Sequence, residues 1–92
     1  HLPTWHSMTA ERAFLRTLAG GCQAPIAALA AVSGASLLLD GMVMDVKGNK
    51  VIRGSEAGSV RQAEEIGIRL AKRLLAAGAD KFLSGPGKNE GW

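Results

Sequence analysis

Cys22 is the single cysteine among 92 residues, and it stands in the run AERAFLRTLAGGCQAPIAALAA at residues 10–31. A lone thiol has three kinds of chemistry open to it: thiolate catalysis, metal ligation and covalent anchoring of a ligand. Thiolate catalysis gains from a helix N-terminus or a close cation. Cys22 instead follows what reads as a helix C-terminus, whose partial negative charge disfavours a thiolate. No histidine is adjacent to act as base, since His1 and His6 both lie near the start of the chain. Metal ligation fails on the same count, because neither histidine sits at ligand spacing from another donor. Anchoring asks for less: the ligand brings a strongly electrophilic carbon, and the sulfur needs access more than a lowered pKa. Gly20 and Gly21 leave room beside it for a flat ring system. The residues alone leave one plainer reading open, in which Cys22 is a small buried hydrophobe.

The elements that must position this loop follow from periodicity. Ala10, Phe14 and Leu18 recur every four residues with Leu15 beside them, while Glu11, Arg12 and Arg16 lie off that stripe, which predicts a helix from about Met8. Ser7 or Thr9 is its expected cap, and Gly20-Gly21 its stop. Glu11, expected in the first turn, suits the helix dipole. Residues 23–32 read as a strand buried on both faces, with Pro25 near its start where a missing N–H matters least. Residues 33–36 form a turn. Residues 37–46 read as a second strand, with Leu37, Leu39 and Val43 on one face and Leu38, Met42 and Met44 on the other. Gly41 there marks a bulge or a close backbone approach. Lys47-Gly48-Asn49 closes a hairpin onto a short third strand at 50–53.

Residues 59–77 predict a second helix. Ala63, Ile66, Gly67, Leu70, Ala71 and Leu74 fall on one face, Ser59 with Gln62 gives a capping-box signature, and Gly78 supplies the stop. Residues 80–83 add a short helical turn. The expected fold is therefore α+β: a three-stranded antiparallel sheet with helices packed on one face, in the order α-β-β-β-α. Residues 1–8 read as a linker, 9–84 as one domain and 85–92 as a flexible tail. The sheet's second face, with Leu38, Met42 and Met44, is a candidate surface for meeting another domain.

Composition narrows the function classes. A hydrophobic content of 47% with 21% charged residues is ordinary globular composition. The net charge is +3, but Lys and Arg are scattered and aromatics are few, so a nucleic-acid partner is not expected. No apolar run reaches the ~20 residues that span a bilayer, so no membrane partner is expected either. One cysteine excludes an internal disulfide and fits a reducing, cytoplasmic setting. Lys47, Lys50 and Arg53 read as a solvated hairpin edge, with contact to an anionic ligand as the alternative. No metal is expected.

The words ERAFL and GGCQAPIA resemble the C-terminal domain of porphobilinogen deaminase, also called hydroxymethylbilane synthase. The matches are Thr4, residues 11–15, Leu18, residues 20–23, Pro25, Ile26, Arg53, Gly54, Gly67, Gly78 and Ala79, extending over nearly the whole chain. Ala19 departs from the acidic residue that the family usually places before the two glycines. The resemblance implies an antiparallel three-stranded sheet with helices on one face. It implies that Cys22 carries a dipyrromethane cofactor through a thioether, with Gly20, Gly21 and Gln23 lining the attachment site. It implies that Arg12 serves at a domain interface; the plain reading of Arg12 is a solvated helix residue.

In the complete enzyme of that family, a cytoplasmic transferase, four porphobilinogen molecules condense head to tail with loss of ammonia. The product, hydroxymethylbilane, feeds tetrapyrrole (haem) biosynthesis. The resemblance assigns the catalytic acid to the first and second domains, so no catalytic residue is expected in this chain, its partners are those two domains, and the isolated domain is expected to be inactive. The parent is expected to be monomeric. The competing class is a non-catalytic α+β interaction module whose cysteine is structural.

Overall fold

The computed structural model describes residues 4–18, 25–45 and 49–79. Its elements run α1 (Trp5–Leu18), β1 (Ile26–Ser33), β2 (Ser36–Met44), β3 (Val51–Ser59), a 3₁₀ turn (Val60–Gln62), α2 (Ala63–Leu74) and a final π turn (Leu75–Ala79). The strands form one antiparallel sheet in the order β1-β2-β3. Both helices lie on one face of it, as the α+β reading expects.

Helix α1 starts three residues earlier than periodicity alone suggests, and the reason is a reciprocal cap. The Thr4 hydroxyl accepts from the Ser7 backbone N–H at 3.1 Å, while the Ser7 hydroxyl oxygen accepts from the Thr4 N–H at 2.8 Å. Two donors that a helix start leaves orphaned are thereby satisfied. The cap therefore falls to Thr4 and not to Ser7 or Thr9, and Ser7 is buried with its partners.

Hairpin β1–β2 closes with Ser33 opposite Ser36, which leaves Gly34 and Ala35 as the two turn residues. Gly34 has φ of 61°, a conformation that glycine takes without steric penalty. Strand β1 is buried on one face, not two: Ala28, Ala30 and Val32 turn towards the helices, while Ala27, Leu29 and Ala31 are exposed. Continuous apolarity hides this alternation, because alanine satisfies either side.

Strand β3 is longer than its apolar start implies. It pairs with β2 from Val51 opposite Met44 to Ser59 opposite Ser36, so β2 has a partner along its full length. Residues 54–58 are too small and polar to read as a strand, yet they suit this place. Gly54 and Gly58 lie under Leu70, Leu74 and Ile66 of α2, whose side-chain ends stand 3.1–3.2 Å from where a Cβ would be, so small residues let the helix sit close on the sheet. Ser59 does act as a cap, but its hydroxyl accepts from the Arg61 N–H and starts the 3₁₀ turn; α2 itself begins at Ala63.

The core lies between sheet and helices. Phe14, Leu37, Leu39, Val43, Ile66 and Leu70 are its largest fully buried side chains. Gly41 is the close approach that the sequence reading allows for, since a Cβ there would strike the Phe14 ring. Gly67 brings the helices together against Ala10 and Ala13. At the end of α2, Gly78 with φ of 119° terminates the helical path as expected. The expected turn at residues 80–83 and the expected tail at 85–92 lie outside the described residues.

Candidate functional site

Cys22, Gly20, Gly21 and Gln23 lie outside the described residues, as does Lys47; the two elements that flank residues 19–24 are described. The first is α1, which ends on the buried Leu18. The second begins at Pro25, whose carbonyl accepts from the Met44 N–H at 2.9 Å and so joins the start of β1 to β2. A side-chain bond couples the two elements. The Glu11 carboxylate accepts from the Ala30 backbone N–H at 2.7 Å, bridging the middle of α1 to the free edge of β1. This bond has two effects: it satisfies the backbone donor of Ala30, a fully buried residue of the edge strand, and it fixes how helix and strand are staggered. Periodicity expects Glu11 in the first turn; with α1 starting at Trp5 that turn holds no acidic residue, and Glu11 falls in the second. Its contact with the sheet edge has no local signature.

Arg12 is exposed on the outward side of α1, and its side chain makes no hydrogen bond or ion pair among the described residues, so the loose pairing that its plain reading allows is not formed. Trp5, one of its neighbours on that side two turns earlier, is 73% exposed, and Leu15 is exposed as well. Arg16, one turn on, differs from Arg12 in having Glu64 of α2 at 3.1 Å, both side chains being mostly in solvent. An arginine with an exposed tryptophan on the same side brings together two of the residue types enriched at protein interfaces.

The second charged cluster is structural. Glu56 of β3 faces α2, where Arg73 and Arg69 both donate to its carboxylate, and Arg73 donates also to the Ser55 carbonyl at 2.7 Å. The hydrogen bond from Arg73, helped by that from Arg69, holds the Glu56 carboxyl below its ordinary range, against the opposing effect of burial. The i, i+4 spacing of Arg69 and Arg73 is visible in the sequence, but Glu56 escapes notice because residues 54–58 do not read as a strand.

On the side away from the helices, the sheet carries a shallow hollow of about 600 Å³. Arg53, Asp40 and Ser55 are among its lining residues, and the Ser55 hydroxyl donates to Asp40 at 2.7 Å. No described element covers this face. His6 is half-buried on α1, and no group of three or more His, Cys, Asp or Glu able to hold a metal occurs among the described residues. No helix among them is long and apolar enough to cross a membrane.

Comparison with known proteins adds what geometry alone does not. Residues 5–76 match the family model described as porphobilinogen deaminase, C-terminal domain. A porphobilinogen deaminase of Moorella thermoacetica is 49% identical over 83 residues, which cover 90% of this chain and 26% of that protein. Those of Prochlorococcus marinus and Carboxydothermus hydrogenoformans are 48% and 46% identical over 89% and 90% of this chain. The chain spans about a quarter of the length of the curated relatives it matches.

Proposed function

The chain belongs to the porphobilinogen deaminase family through its C-terminal domain, and from that we propose that it is the cofactor-carrying third domain of a hydroxymethylbilane synthase. The observation that supports this reading is the match of residues 5–76, which spans α1, the Cys22 loop, the whole sheet and α2. In the proposed parent, four porphobilinogen molecules are joined with release of ammonia, on the route to tetrapyrroles.

Cys22 is the proposed anchor. It holds the only thiol in the chain, so a thioether to sulfur has no other place to form. Its flanking residues fit a bulky planar group, since Gly20 and Gly21 project no side chains towards it and Gln23 offers one amide for hydrogen bonding. The flanking elements supply a fixed base, since α1 and β1 are tied by the bond between Glu11 and Ala30. Dipyrromethane, when bound, supplies the pyrrole terminus from which the product chain is extended. Arg12 is proposed to meet the preceding domains, its charge and exposed apolar neighbours suiting an acidic patch on one of them.

The test is replacement of Cys22 by Ser in the full-length parent. The variant is expected to fold and to lose covalently held pyrrole, read as the wild-type mass increment missing from the intact protein and no colour with Ehrlich's reagent. Retention of a two-pyrrole increment in the variant overturns the assignment of the anchor.

A further inference from the structure

We draw no further inference here: the strongest candidate, the hollow lined by Asp40, Arg53 and Ser55 on the helix-free face of the sheet, carries nothing, because the chain spans about a quarter of its relatives' length and nothing in the structure shows what covers that face.

Discussion

Glu56 shows how one residue fastens a strand to a helix. Its carboxylate receives Arg73 and Arg69, and the Arg73 bond is the larger cause of its lowered pKa. The arginines are about half exposed while Glu56 is mostly covered, so solvent screens part of the interaction. Replacing Glu56 with Gln keeps the shape and removes the charge, and is expected to cost about 1 kcal/mol at neutral pH. Because the folded-state pKa lies below the unfolded value, the stabilisation is complete above that unfolded value of ~4.3 and is lost as pH falls through the folded one. Urea unfolding of wild type and Glu56→Gln should therefore differ at pH 7 and converge in strong acid. A difference that stays constant on acidification would show that the side chain acts through packing instead. Glu11 admits a parallel test. Glu11→Leu removes the acceptor for the Ala30 N–H, and hydrogen exchange at that amide is expected to accelerate at least tenfold. Unchanged protection at Ala30 would show that the bond does not tie helix to strand in solution.

At the scale of elements, the tightest constraint is the contact between α1 and α2. A Cβ on Gly67 would strike the Ala10 carbonyl and approach Ala13 Cβ and Phe14 N to 2.8 Å, and backbone atoms there cannot step aside alone. Gly67→Ala gains up to ~1 kcal/mol in helix propensity but must separate two packed helices. A net loss of about 2–3 kcal/mol is expected in urea unfolding. Gly58→Ala is the control: its new methyl would lie 3.2 Å from the terminal carbon of Ile66, a side chain that can yield, and a change within about 1 kcal/mol is expected. Equal effects at the two positions would show that helix contact does not set the cost.

This scale also shows what periodicity can reveal. The stripe from Ala63 to Leu74 and the spacing of Ala10, Phe14 and Leu18 place both helices, because large apolar residues alternate there with charged ones. The end of β3 and the outward face of β1 stay hidden for opposite reasons. Glycine and serine in β3 are too small to signal burial, while alanine in β1 signals it on both sides. The start of α1 turns on a Thr4–Ser7 cap lying beyond the apolar stripe. Of the proposed site, Cys22 with its glycines and Arg12 is legible through the family words. Asp40 and Arg53 become neighbours only once the strand register is known.

For the whole molecule, the question is what a quarter of the relatives' length can do alone. Joining pyrroles requires groups that bind substrate carboxylates and a side chain that moves protons at a positioned nitrogen. Glu56, whose carboxyl is kept below its ordinary range by Arg73 and Arg69, is held against α2 by those two arginines. Arg12 and Arg53 are exposed cations on separate faces, one on α1 and one on the sheet's far side, so they cannot converge on one small anion. Porphobilinogen incubated with the 92-residue chain should thus give no hydroxymethylbilane, and the chain should carry a free Cys22 thiol. Intact mass before and after thiol alkylation reads the second point: the unmodified mass should equal that of the sequence, and one equivalent of reagent should add. A two-pyrrole increment mapping to Cys22 would show that anchoring needs no other domain while strengthening the anchor assignment. Turnover by the chain alone would be graver, since it would move the catalytic groups into this chain, among whose described residues no such group is assembled.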